Sequence, residues 1–204
     1  MTTTDDRPAS AANAVADPAP LGLAAFALTT FLLSAANAKL TKGATNGNEW
    51  IGYAFAYGGV VQLLAGMWEF KNRNVFGATA FSTYGGFWIG LALYFRLVVA
   101  SAGAGALNDL GWILLAFAIF NTYMLIMSTQ VNIAVFLVFL TLEVTEIILF
   151  IGFFSASTST LKIGGYVGIL TALVAWYASA AGISNGMGGR IRLPAGAPLV
   201  RSGL

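Results

Sequence analysis

The sequence predicts an all-α, polytopic membrane protein of six transmembrane helices. Three observations carry that expectation. Of 204 residues, 58% are hydrophobic and only 9% charged, against about 25% charged in a soluble domain. Six apolar stretches each approach or exceed the roughly 20 helical residues that cross a bilayer. The ten-residue alternating segments of a membrane β-barrel are absent. The expected organisation is a polar tail over 1–17, a six-helix domain over 18–186 and a C-terminal tail over 187–204.

The first span is expected over Leu21–Ala38, where Phe26, Thr30, Ser34 and Asn37 follow i, i+4, i+8, i+11 spacing. One ring and three small polar groups therefore share a helix face. The span ends in Ala36-Asn37-Ala38, the small-x-small pattern of a signal-peptidase site. The tail before it sets Asp5, Asp6 and Asp17 against a lone Arg7, whereas a signal peptide begins with a basic region, so cleavage is not expected. The second span, Trp50–Phe70, carries Gln62, Gly66 and Glu69 on one stripe. Only "KNRNV" separates it from the third, Phe76–Ala100, which contains "FSTYGGFW" with Thr83 and Tyr84 ahead of Gly85 and Gly86. The fourth, Leu110–Ser128, places Asn121 and Thr122 mid-span.

The fifth span, Val131–Phe154, buries two acids in "FLTLEVTEIILF". An ionised carboxylate at mid-membrane costs about 2.5–3.5 kcal/mol on insertion scales. With Thr141 at the origin of a helical wheel, Thr145 falls at about 40°, Leu142 at about 100°, Glu146 at about 140° and Glu143 at about 200°. The remaining arc is aliphatic: Leu137, Leu140, Val144, Ile147, Ile148 and Ile151. One side suits lipid or a dry seam, and the other gathers every polar group. Those acids serve either as hydrogen-bonding glue between helices or as a functional site. The sixth span is expected over Leu161–Ile183. Gly86-x-x-x-Gly90 and Gly164-x-x-x-Gly168 allow close helix approach, expected within one protomer, and Arg96 and Lys162 sit near span ends, where they can snorkel.

Composition also excludes. The chain has no cysteine and no histidine, which removes thiol nucleophiles, disulfides, His-ligated metal or haem and a Ser-His-Asp relay. No enzyme, no metal site and no cofactor are expected. Net charge is +2, with nothing pointing to nucleic acid. Retinal would need a mid-span lysine, and every lysine lies in a loop or at a span end. Polar groups at membrane depth in five helices argue for a small-solute conduit over a scaffold. With six spans the termini share a side. That side collects Arg7, Lys71, Arg73, Arg190, Arg192 and Arg201 against Lys39, Lys42, Arg96 and Lys162 opposite, which favours cytoplasmic termini in the plasma membrane.

Three stretches carry a family resemblance. Asp17-Pro18-Ala19-Pro20-Leu21-Gly22-Leu23 resembles the Asn-Pro-Ala-Pro-Leu-Gly-Leu signature of the acetate uptake transporter family, also called succinate–acetate permeases. "YGGVVQLLAGMWEFKNRNVFGATAFSTYGGFW" (57–88) is similar to that family's second and third spans, and "GGRIRLPAG" (188–196) to its C-terminal end. The resemblance implies proton-linked uptake of acetate, in some members succinate or other short monocarboxylates, through a pore in each six-helix protomer of a hexamer. It implies a hydrophobic constriction at Phe26, Tyr84 and Leu142, and maps the family's second-span acid to Glu69. Asp17 departs from the usual Asn, a change helix capping tolerates. The larger departure is Glu143 and Glu146, where the family usually carries apolar or small residues.

A bare acetate anion cannot cross hydrocarbon unaided. Donors along the path are expected from Thr29, Thr30, Ser34, Gln62 and Asn121, with Glu69, Glu143 and Glu146 as proton-coupling candidates. Glu146, one turn beyond Leu142, is expected to hold its proton at rest and face the conduit. The partners are thus a small carboxylate, protons, lipid and further copies of the chain. The alternative is a channel for a neutral solute such as urea, a short amide or water.

Overall fold

The computed structural model describes residues 15–43, 47–102 and 105–200. Most of the N-terminal tail, with Asp5, Asp6 and Arg7, and Arg201 at the other end lie outside the described residues. Six helices long and apolar enough to cross a membrane run Ala19–Asn37, Trp50–Lys71, Val75–Ala102, Gly105–Ser128, Ile133–Phe154 and Thr158–Gly186. No strand occurs among the described residues. The chain is a multi-pass, all-helical membrane protein.

Local chemistry sets the ends of these helices. Asp17 Oδ1 accepts the Ala19 amide at 2.9 Å, and Pro20 sits in the first turn, where its missing N–H costs nothing. The first span closes at Lys39, whose φ of 60° reverses the chain as Lys39 N–H bonds Ala36 O and Leu40 N–H bonds Ala35 O, both at 3.0 Å. Asn74, Asn132 and Ser157 cap the third, fifth and sixth spans, accepting from Gly77, Val135 and Thr160. Two segments depart from α geometry: Ala54–Val61 in the second span and Tyr94–Val99 at the end of the third are π-helical. Such widened turns relocate side chains by a fraction of a turn and gather at functional sites.

Packing closes a circuit. Each span lies against its neighbour in sequence, and the sixth returns to the first, with the third–fourth seam the slimmest. Small residues make the tight seams. A Cβ on Gly66 would meet Ser82 N at 2.6 Å, and one on Gly85 would meet Leu63 N at 2.8 Å, so the second and third spans touch nearly backbone to backbone. Gly164 and Gly168 pack inside the protomer, against Leu149 and Ser34. Gly86 and Gly90 do not. Nothing lies within 4 Å of either Cβ direction, because that stripe faces outward; the expectation of internal packing is corrected there.

The described part of the C-terminal tail, 187–200, forms a strap. Ala195 O accepts from Ala134 N–H at 2.9 Å, and Thr129 O accepts from Leu199 and Val200 N–H at 2.8 and 3.1 Å. Tyr177 donates to Pro194 O at 2.8 Å. The segment thus crosses the turn between the fourth and fifth spans and ties it to the sixth.

Candidate substrate pathway

Inside the helical circuit lies a series of four cavities whose linings overlap. The outermost, about 240 Å³, opens beside Lys39, Thr41 and Asn48 on the side away from the described C-terminal tail. It shares Leu33, Asn37, Phe95 and Phe153 with a cavity of about 30 Å³. That one shares Leu33, Asn37, Leu114 and Leu149 with the next, of about 40 Å³. Phe26, Tyr84 and Leu142 then separate the 40 Å³ cavity from a last one of about 20 Å³, and all three line both. The path therefore narrows from a wide mouth to water-sized spaces.

The three waist residues come from the first, third and fifth spans. Each is buried, and the Phe26 ring meets the Tyr84 ring edge-on at 5.7 Å. Phe87, Phe117 and Phe120 also pack around Tyr84. Apolar walls therefore hold a single phenol at the waist.

The first-span stripe lands on the path as a unit: Phe26, Thr30, Ser34 and Asn37 all line the 40 Å³ cavity. Gln62 lines the 20 Å³ cavity. Thr30 Oγ1, Glu146 Oε2 and Gln62 Oε1, in residues of these linings, are buried without a hydrogen-bond partner. Thr29 lies elsewhere. Its hydroxyl donates to Ala25 O at 2.8 Å and it packs against Gly58 in the seam with the second span. A β-branched hydroxyl in a helix commonly bonds its own backbone this way.

The fifth-span acids divide. Glu146, 3% exposed, lines the 40 Å³ cavity one turn from Leu142, and its Oε1 lies 3.3 Å from the Tyr84 hydroxyl. Glu143 turns toward the fourth span, where its oxygens accept from Asn121 Nδ2 at 2.7 Å and Thr122 Oγ1 at 2.8 Å. Asn121, fully buried, stands behind Tyr84 and outside the cavity linings, its Oδ1 3.0 Å from the phenol. Glu69 sits far from the waist at the second–third turn, accepting from Asn72 at 3.2 Å and abutting Gly77.

One side chain with a polar group in the lining of the 40 Å³ cavity was not anticipated. Trp88, buried, presents an unpartnered indole Nε1 in a residue that lines the 40 Å³ cavity. The signal was present in "FSTYGGFW", since Trp88 follows Tyr84 by four residues and so shares its helix face. Among the described residues no group of acids gathers as a metal site.

Residues 3–197 match the model of the GPR1/FUN34/yaaH family. The chain is 42% identical over 190 residues to Acetate permease A of Emericella nidulans, covering 85% of this chain and 63% of that one. It is 32% identical over 183 residues to the succinate-acetate/proton symporter SatP of Escherichia coli strain K12, covering 89% and 96%. The structure of the bacterial acetate channel SatP superposes with a TM-score of 0.81 at 30% identity, covering 89% of this chain and 99% of that one. The chain thus spans less than two thirds of the fungal permease and nearly the whole of the bacterial proteins.

Proposed function

We propose that this chain, which belongs to the GPR1/FUN34/yaaH family, carries acetate and related short carboxylates, succinate among them, across the plasma membrane together with protons. The observation that carries this reading is the series of overlapping cavities meeting at Phe26, Tyr84 and Leu142. An anion stripped of water cannot pass an apolar waist cheaply, whereas the undissociated acid can. Thr30, Ser34 and Gln62 supply polar contacts along the path, and Glu146 is the acid placed to meet the solute. Lys39 at the wide mouth offers the arriving anion a positive charge. The relatives' names support acetate and succinate as solutes and protons as the coupled ion.

In this reading residues 18–186 form the conducting domain, and both termini face the cytoplasm. Protomers assemble as a homo-oligomer, a hexamer by family resemblance, which gives the outward Gly86 and Gly90 stripe a helix to pack against. No catalysis is assigned.

Uptake of labelled acetate, succinate and urea into proteoliposomes, each with and without an imposed pH gradient, tests the proposal. Acetate entry is expected to rise with an acidic exterior, while urea stays at the rate of empty vesicles. Urea uptake indifferent to the gradient, with no acetate uptake, would instead identify a channel for neutral solutes.

Trp88→Phe gives a second prediction. The ring is kept and one indole donor is lost, a change of about 1–1.5 kcal/mol. Acetate uptake is expected to fall roughly tenfold, with the pH profile unmoved; native rates in that variant would remove Trp88 from the path.

A further inference from the structure

The Tyr84 hydroxyl has one proton and two oxygens to give it to: Asn121 Oδ1 at 3.0 Å and Glu146 Oε1 at 3.3 Å. The choice is made behind the waist. Asn121 Nδ2 donates to the backbone carbonyl of Phe139 at 3.0 Å and to Glu143 Oε2 at 2.7 Å. A backbone carbonyl only accepts. Flipping the amide would set two oxygens face to face at that distance, so Oδ1 must point at Tyr84. Asn121 is fully buried, and the phenol is the donor within reach of its oxygen.

We infer that Asn121 is a positioning residue: anchored on the Phe139 carbonyl, it draws the Tyr84 proton to itself and leaves Glu146 to keep its own. With the phenol proton committed, Tyr84 meets Glu146 Oε1 through a lone pair. A carboxylate there would oppose lone pair to lone pair; a carboxylic acid donates into Tyr84. The relay runs Glu146 to Tyr84 to Asn121 to Phe139, each donor used once. Glu146 Oε2, buried and unpartnered in a residue that lines the 40 Å³ cavity, is then left as an acceptor. That is the complement of an undissociated carboxylic acid, whose hydroxyl is a donor. The inference rests on the cavity series being the path of such an acid.

One other acid bears on this arrangement, since Glu143 works against a second negative charge at Glu146. On the fifth span Glu143 is occupied by Asn121 and Thr122. The fourth span adds Tyr123, half exposed, and the second span's Glu69 lies about 10 Å along its helix from Gln62. The first span has no titratable residue between Ala19 and Asn37, and on the sixth Lys162, Tyr166 and Tyr177 are exposed.

Infrared spectroscopy of the protein in lipid vesicles tests the relay. The carboxyl stretch of Glu146 is isolated as the difference between wild type and Glu146→Gln. It is expected to be present at neutral pH in wild type and lost in Asn121→Leu, where Tyr84 is free to donate to a carboxylate. In the same variant the alkaline limb of acetate uptake should move down by about one pH unit, the equivalent of one hydrogen bond. A residue that only packs would scale uptake at every pH alike and leave the band in place. A wild type lacking the band, or an Asn121→Leu spectrum unchanged from it, overturns the inference. Should Asn121→Leu not fold, Tyr84→Phe serves: loss of the acceptor is expected to shift the Glu146 band to higher frequency, and an unmoved band overturns the relay. The spectra do not depend on which solute crosses. Unmoved bands with intact acetate uptake sink the relay alone, and moved bands without acetate uptake sink the transport reading alone.

Discussion

Gly165→Val is expected to abolish stable protein. A Cβ at 165 would strike Ala38 N and lie 2.7 Å from Ser34 O and 2.9 Å from Ala38 Cα. These are backbone atoms, already joined by the bond from Ala38 N–H to Ser34 O at 2.9 Å. No rotamer change can make room, so the first and sixth spans must separate. The neighbouring contact of Gly168 with Ser34 would be lost with them. Ordinary overpacking costs about 1–3 kcal/mol, and a backbone clash at a membrane seam exceeds that. Against a total stability of about 5–15 kcal/mol, the folded fraction should collapse. The measurement is the monodisperse peak of detergent-solubilised protein and its melting temperature. Gly52→Val is the control, since nothing lies within 4 Å of that Cβ direction and the fold should survive; equal melting temperatures for Gly165→Val and wild type would refute the seam.

How far the sequence could be read depended on whether a feature was local to one helix. Span ends agree with the structure to within a few residues because apolar length is summed along the chain. The fifth-span wheel held for most of its residues: Leu142, Thr145 and Glu146 are buried and Leu137, Leu140, Val144, Ile147 and Ile151 are exposed, while Thr141, Glu143 and Ile148 are half-buried. So did the four-residue stripe of the first span. Thr29 and Thr30 show where reading stops. They are adjacent and alike, yet one hydroxyl bonds its own helix and packs on Gly58 while the other lines a cavity. That distinction belongs to the neighbouring helix. Asn121 illustrates the same limit, since its burial mid-span was foreseeable and its placement behind Tyr84 was not. The π-helical segments left no compositional trace. The C-terminal strap read as an ordinary tail because backbone bonds such as Ala134 N–H to Ala195 O carry no side-chain signature.

If the proposed transport is right, Phe26→Ala is expected to turn a selective, proton-linked pathway into a leak. The ring stands between the 40 and 20 Å³ cavities and braces Tyr84 edge-on at 5.7 Å. Its removal joins the two spaces and lets water through the waist. A hydrophobic constriction excludes ions by staying dry, so a wet one no longer demands that acetate travel protonated. Two results follow. Acetate uptake without a pH gradient should rise about tenfold or more, and discrimination against a longer acid such as butyrate should shrink by a similar factor, the scale of the 1–3 kcal/mol an apolar pocket commands per methylene. Truncating a buried phenylalanine also costs about 3–5 kcal/mol of stability, so Phe26→Leu, which keeps most of the volume, belongs in the same assay with an intermediate effect expected. Flux of labelled acetate and butyrate into vesicles at matched and unmatched pH decides the matter. If folded Phe26→Ala protein retains both its selectivity and its dependence on the gradient, the waist is not where passage is controlled, and the cavities on either side of it are packing defects rather than a path.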